Sequence, residues 1–254
     1  MESPPASRRA VLGAGASLLA ASQAQARPRR GAPDPDVMRI LERYDSFGDK
    51  ASGGPGDTAC GEWLEGELKA LGYACARQAF DAPAFEGEAR LTCGSATAAL
   101  IPQAIVRPTP RSGVTGPLSI AGRGAAGGGV ALVVLPYARW STIKGEPERR
   151  VRAAIAAGAE AVVLVTTGPT REAVALNAPL EPALFDRPVA ILAPKDAGPF
   201  VEAAQSGASA NLVIEGRAFR RPAFNLTARL DRGAEKTLVI STPRSGWFGC
   251  AGER

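Results

Sequence analysis

The chain has 254 residues, of which 45% are hydrophobic and 22% charged, so it can bury a core and is too apolar to be disordered throughout. The 29 glycines and 21 prolines exclude a long coiled coil, and the lack of histidine excludes a Ser-His-Asp triad, a Cys-His dyad and an HExxH zinc site. The formal charge of +5 arises from 30 basic and 25 acidic residues, an excess too small to indicate a nucleic-acid partner.

The first 26 residues have the pattern of an export signal. Ser7, Arg8 and Arg9 open an apolar stretch, and the small residues Ala24 and Ala26 predict the cleavage site. The paired arginines favour the twin-arginine type over a Sec signal. The apolar run is shorter than the roughly 20 residues of a membrane span. The sequence therefore predicts a periplasmic or secreted protein with no membrane contact after signal cleavage, beginning with a disordered tail over residues 27–33.

Two helices are predicted next. Asp34 and Pro35 form a helix-start signal, and apolar residues follow at helical spacing from Val37 onwards. A second amphipathic helix is predicted over residues 58–71, after a glycine-rich loop over residues 48–56.

Export places the four cysteines, Cys60, Cys75, Cys93 and Cys250, where disulfides persist, and three complete pairings are open. Residues 73–80 and 88–93 both have strand patterns. A hairpin that turned over residues 81–87 would set Cys75 opposite Cys93, so this pair is the predicted disulfide. The spacings contain no CxxC motif, so they do not favour a structural zinc site.

The remaining elements alternate between strands and helices. Short apolar stretches broken by proline and glycine predict strands and turns over residues 89–129, and the glycine run at 124–129 lacks the Lys-Ser/Thr pair of a phosphate loop. Further strands are predicted over residues 130–135, 161–165, 188–192, 212–214, 224–230 and 237–241, and helices over residues 147–157 and 197–205. This order predicts an α/β fold with a βαβ unit.

The segment from Gly129 to Ile214 resembles a protease-associated domain, an insert of exported and lysosomal di-zinc aminopeptidases, a family in which the transferrin receptor is a non-catalytic member. The flanking phrases Leu68-Lys-Ala-Leu-Gly-Tyr73, Phe224-Asn-Leu-Thr-Ala-Arg-Leu230 and Lys236-Thr-Leu-Val-Ile-Ser241 agree with it. The resemblance implies an α/β fold in which a protease-associated-type domain, with short sheets and flanking helices, is inserted in an incomplete aminopeptidase-like domain. The implied parts are an N-terminal helical part at 34–84, the inserted domain at 85–221 and an incomplete start of the peptidase-like sheet at 222–254.

The chain departs from this family at its metal site. In active relatives the strand corresponding to residues 237–241 leads into a loop with a zinc-ligating His and an Asp that supports the site. Here Pro243 takes the ligand position and Ser245 the position of that Asp. Proline has no side-chain donor atom, so no zinc and no other cofactor are expected in this chain, although zinc is expected in active relatives.

The sequence therefore predicts a non-catalytic binding or scaffold module whose partner is a peptide or protein and not a nucleic acid. No catalytic or metal-binding residue is assigned. An alternative is a fragment of an active metallopeptidase-like hydrolase whose catalytic residues lie beyond Arg254, and a third interpretation is an unstable fragment. Among the remaining residues, Trp247 and Phe248 are predicted to be core residues, and Cys250 an unpaired thiol.

Acid–base catalysis by two carboxylates is the one enzymatic route that survives without histidine. The candidate carboxylates show no spacing that separates a catalytic pair from ordinary surface charge; they are Asp45, Asp49, Asp57, Glu181 and Asp186.

Overall fold

The computed structural model describes residues 34–103, 107–123, 128–178 and 183–246. The chain divides into two compact units, Met1–Arg43 and Tyr44–Arg254. Helix α1 (Pro35–Asp45) begins in the first unit, where the side chain of Asp34 accepts a hydrogen bond from the backbone N–H of Asp36. The helix start predicted at Asp34 and Pro35 is therefore confirmed.

The described part of the second unit contains three further α-helices and seven strands. The elements are α2 (Pro55–Ala70), β1 (Ala74–Cys93), β2 (Ala96–Pro102), β3 (Val114–Ile120), β4 (Val130–Val134), α3 (Glu146–Ala156), β5 (Ala161–Val165), β6 (Val189–Leu192), α4 (Gly198–Gln205) and β7 (Ser209–Arg229). No helix in the described ranges is long and apolar enough to cross a membrane.

The seven strands form one closed sheet in the order β1-β2-β6-β5-β4-β3-β7. Strands β3, β4, β5 and β6 run parallel, whereas β1, β2 and β7 join the sheet by antiparallel pairing. Helices α2, α3 and α4 lie beside this sheet, so the predicted α/β class is confirmed.

Strands β4, β5 and β6 are buried on both faces. Alternate residues of each strand enter two different hydrophobic clusters: Leu132 and Val163 pack in the cluster that contains Phe200 of α4, and Val133 and Leu164 in the cluster that contains Val151 of α3. Continuous apolar runs are typical of strands covered on both sides. The structure confirms this reading of residues 130–135, 161–165 and 188–192.

The predicted hairpin over residues 73–93 is wrong, because β1 is one continuous strand of 20 residues. It pairs with β7 along its whole length, from Ala74 opposite Arg229 to Cys93 opposite Ala210. The predicted turn contains Pro83, which is tolerated here because β2 pairs only with residues 89–93 and leaves the other edge of the strand open at that point.

The predicted disulfide is corrected by the same observation. Cys75 and Cys93 lie at opposite ends of β1, and both are free thiols. At about 3.3 Å per residue they lie roughly 60 Å apart along the strand, whereas a disulfide needs Cα atoms about 4.4–6.8 Å apart.

The strand predicted over residues 237–241 is also absent. Residues 224–229 form the end of β7, as predicted, but Leu238, Val239 and Ile240 are 84%, 80% and 83% exposed. No strand within the described ranges pairs with this segment, so its apolar side chains are not buried against a sheet. The boundaries predicted at residues 84/85 and 221/222 fall inside β1 and β7, and they stay predictions.

Candidate functional site

The site begins at the first turn of α2. Gly54 precedes the helix without a side-chain cap, and Pro55 occupies the first turn, where its fixed φ suits the helix. Asp57 follows in the first turn, where a carboxylate interacts favourably with the helix dipole. Its Oδ2 atom accepts a hydrogen bond of 2.9 Å from the backbone N–H of Gly53, so the helix start holds one side of this buried carboxylate.

Arg244 holds the other side of the carboxylate. Its Nε donates to Oδ1 of Asp57 at 2.9 Å and its Nη2 to Oδ2 at 3.0 Å, which makes a bidentate ion pair. The two side chains are only 13% and 3% exposed. The guanidinium also donates to the carbonyl of Phe224 and lies 4.3 Å from the centre of its ring. The guanidinium of Arg244 therefore contacts the Asp57 carboxylate, the Phe224 carbonyl and the Phe224 ring.

A second cation lies in the same region. Lys50 is fully buried, donates from Nζ to the carbonyl of Gly48 and lies 4.4 Å from the ring centre of Tyr44. The backbones of Lys50 and Gly246 exchange two hydrogen bonds of 3.1 Å, and the Tyr44 hydroxyl donates to the carbonyl of Arg244 at 2.9 Å. Residues 244–246 are thus attached to the segment before α2 by both backbone and side chains.

The thiol of Cys60 lies one turn further along α2 and is 1% exposed. Burial raises the pKa of this thiol, because desolvation disfavours the thiolate, and the nearby charge of Asp57 adds to the effect. The positive charges of Arg244 and Lys50 oppose it in part. The net result is a protonated, shielded thiol, which is a poor nucleophile and a poor metal ligand.

The residues at this site do not fit zinc. Pro243 is exposed and offers no donor atom, and Ser245 is half-buried in the same segment. Between them Arg244 brings a fixed positive charge that repels a divalent cation, and both carboxylate oxygens of Asp57 are already engaged. Within the described ranges no three His, Cys, Asp or Glu side chains come together as a metal-binding group.

The other residues singled out from the sequence do not join this site. Asp45, Asp49 and Asp186 are exposed, whereas Asp57 alone among the described candidate carboxylates is buried. The remaining candidates lie outside the described residues: Ser7, Arg8, Arg9, Ala24, Ala26, Glu181, Trp247, Phe248 and Cys250.

Sequence analysis missed the roles of Lys50 and Arg244 and did not separate Asp57 from surface carboxylates. The partners Asp57 and Arg244 are 187 residues apart, so no local spacing links them. The available signals were weak: an aspartate in the first turn of a helix that follows a glycine-rich loop, and an arginine directly after Pro243.

Comparison with known proteins finds solved structures with a similar fold. No protein-family model matches the chain, and no curated protein matches it. Among solved structures, a zinc aminopeptidase from Bacillus subtilis matches with a TM-score of 0.56 and 18% identity, covering 74% of this chain and 44% of that one. The fold is similar to part of a zinc aminopeptidase.

A second solved structure also has a similar fold. A peptidase M28 precursor from Shewanella amazonensis matches with a TM-score of 0.54 and 16% identity, over 74% of this chain and 48% of that one. The chain thus spans a little under half the length of these two peptidases. At such low identity the likeness concerns the fold.

Proposed function

We propose that this chain acts as a non-catalytic binding module of an exported protein, with a peptidase-like origin and a protease-associated-type domain over residues 85–221. The observation that carries the proposal is the ion pair of Arg244 with Asp57. In the loop that the resemblance matches to the zinc-binding loop of active relatives, this chain has an arginine whose guanidinium is held in a buried pair, next to a proline that has no donor atom.

Isothermal titration of the purified full chain with Zn²⁺ tests the proposal, with the zinc aminopeptidase from Bacillus subtilis, stripped of metal, as a positive control. We expect no stoichiometric binding to this chain. Tight binding of one ion per chain that is lost in Asp57→Asn would overturn the proposal, because it would show a working metal site at the ion pair. The Arg150→Ala variant, which removes an exposed ion pair with Glu146, controls for unspecific effects of charge removal.

A second candidate is that the chain forms part of an active hydrolase. It is supported by the fold similarity and by the fact that the chain spans only 44% of the aminopeptidase it matches. The intact mass of the protein in its native host separates the two candidates. A mass that corresponds to residues 27–254 supports the binding module and cleavage after Ala26, whereas a much larger mass favours the hydrolase.

The proposed location is the periplasm or the medium. It is supported by the signal pattern around Arg8, Arg9 and Ala26. We expect Arg8→Lys/Arg9→Lys to abolish export if the twin-arginine route is used, since that route requires the arginine pair. Unchanged export of this variant, measured by cell fractionation, would instead indicate a Sec signal.

A further inference from the structure

Three loops meet at the carboxyl ends of the parallel strands β4, β5 and β6. The loop after β4 contacts the loop after β5, where the backbone N–H of Ala138 donates to the carbonyl of Thr167 at 3.1 Å. The loop after β5 contacts the residues after β6, where the N–H of Lys195 donates to the carbonyl of Arg171 at 3.1 Å. These links fix the three loops relative to one another.

The loop after β4 is held further by its tryptophan. The ring of Trp140 packs against the cluster that contains Val151, and its Nε1 donates to the carbonyl of Pro136 at 3.0 Å. Between these two residues, Tyr137 is 71% exposed and Arg139 is also exposed. The half-buried Trp140 therefore anchors a loop that carries an exposed aromatic ring and a guanidinium.

Arg171 supplies a second guanidinium from the neighbouring loop. It has a φ of 57°, the only positive φ of a non-glycine residue in the described part of the chain. Backbone strain of this kind persists only where surrounding contacts impose it, here including the bond from Lys195 to its carbonyl. Its exposed side chain thus projects from a fixed backbone.

The side chains of both arginines lack an ion pair within the described residues. The guanidinium groups of Arg139 and Arg171 form no hydrogen bond there either, whereas the nearby carboxylate of Glu172 is neutralised by Lys195 at 2.6 Å. The surface formed by Tyr137, Arg139 and Arg171, called here the carboxyl-end surface, therefore offers two unpaired guanidinium groups and an exposed aromatic ring.

We propose that the carboxyl-end surface binds an acidic segment of a polypeptide. Guanidinium groups bind carboxylates through paired hydrogen bonds, and tyrosine contributes amphipathic contact area at protein interfaces. A nucleic acid fits less well, because its backbone needs a track of several cations, whereas this surface offers two unpaired guanidinium groups. The proposal rests on the proposed binding function and adds its surface and the chemistry of its partner.

Fluorescence anisotropy of the full chain with a labelled peptide of alternating Glu and Leu tests the inference, compared with a matched peptide of alternating Lys and Leu. We expect the acidic peptide to bind more tightly, and the binding to weaken with added salt. We expect Arg139→Ala/Arg171→Ala to lower its affinity by about tenfold, equivalent to about 1.4 kcal/mol. Tyr137→Ala should lower it by a smaller factor.

The matched control is Arg187→Ala. Arg187 is an exposed arginine just before β6, at the opposite end of the parallel strands, and its removal should leave the affinity within about twofold. Equal affinity for the two peptides, an undiminished affinity of the double variant, or tighter binding of a single-stranded oligonucleotide would overturn the inference. The zinc titration is independent of these residues, so a failed peptide test and a failed proposed function remain distinguishable. Thermal unfolding checks that the variants fold.

Discussion

Arg244 and Asp57 form an ion pair that is almost closed to solvent, and this burial determines what the pair contributes. A buried pair has a high desolvation cost, so its net contribution to stability is small while both partners are present. Loss of one partner leaves the other as an uncompensated buried charge. The pair therefore specifies how residues 244–246 are attached more than it stabilises the fold.

We expect Arg244→Ala to lower the free energy of unfolding by about 3–5 kcal/mol, because Asp57 is then buried without a counter-charge. Urea denaturation measures this change. The matched control is Arg150→Ala, whose ion pair with Glu146 is 46% and 37% exposed on its two sides and should contribute less than about 1 kcal/mol. The double variant Asp57→Asn/Arg244→Met should recover part of the loss. Equal losses of stability in Arg244→Ala and in the matched control would show that the Asp57–Arg244 pair is not buried in solution.

The thiols should differ in reactivity. Burial raises the pKa of Cys60 above 9.0, so it should react with iodoacetamide more slowly than the half-buried Cys75 in the folded protein. Peptide mapping after a timed reaction measures both rates. Recovery of a peptide that joins Cys75 to Cys93 would contradict the continuous strand β1.

The raised pKa of Cys60 also predicts a dependence of stability on pH. The folded state holds this proton more tightly than the unfolded state, so the contribution of Cys60 is present below about pH 9 and is lost as the pH rises towards the folded pKa. Stability of the parent, measured by urea denaturation, should therefore fall more steeply than that of Cys60→Ala as the pH rises above about 9.

Helix α2 offers a matched pair of glycines. A Cβ atom at Gly61 would lie 2.5 Å from Cζ of Phe224 and 2.8 Å from Nη1 of Arg244, whereas a Cβ atom at Gly66 meets nothing within 4 Å. The close contact of α2 with Phe224 and Arg244 therefore depends on the missing side chain of Gly61.

We expect Gly66→Ala to stabilise the protein by about 0.5–1 kcal/mol, because alanine favours the helix. Gly61→Ala should destabilise it, since the gain in helix propensity is outweighed by displacement of Phe224 and Arg244. Thermal unfolding compares the two variants. Equal stabilisation by both would mean that α2 is not packed against the ion pair.

Two leucines test the difference between an apolar pattern and a buried strand. Leu164 in β5 is fully buried, whereas Leu238 is 84% exposed. Leu164→Ala should cost about 2–5 kcal/mol, and Leu238→Ala less than about 0.5 kcal/mol. A large loss of stability in Leu238→Ala, measured by urea denaturation, would show that residues 237–241 are covered in solution.

The local sequence pattern was sufficient to predict the elements whose packing partners follow closely in sequence. The strands over residues 130–134 and 161–165 and the helix between them match their predicted positions within a residue or two, because continuous apolar runs and helical spacing specify them directly. The local pattern did not predict that β1 is one continuous strand. Asp81, Pro83 and Gly87 carry strong turn signals, yet 20 positions of pairing with β7 override them.

The site was less predictable than the fold, since it depends on contacts between distant segments. Proline at 243 could be read from the sequence as a residue without a donor atom. The burial of Lys50 and the ion pair of Asp57 could not, because each needs a tertiary neighbour from another part of the chain.

At the scale of the whole molecule, the closed sheet joins its first strand to its last. Residues 74–88 of β1 pair only with β7, which begins at Ser209. Contacts of such high sequence separation require closure of a long loop before they stabilise anything, so folding of this sheet should be slow.

This closure has a consequence for the protein during its synthesis. Roughly 115 residues separate the end of β1 from the start of β7, so at about 5–20 residues per second the first strand waits on the order of ten seconds for its partner. During that interval the nascent chain exposes a long unpaired edge, which makes it a client for chaperones. Released chains that end at Gly207 should be degraded rapidly by added protease, whereas the full chain, in which β7 can pair with β1, should resist it.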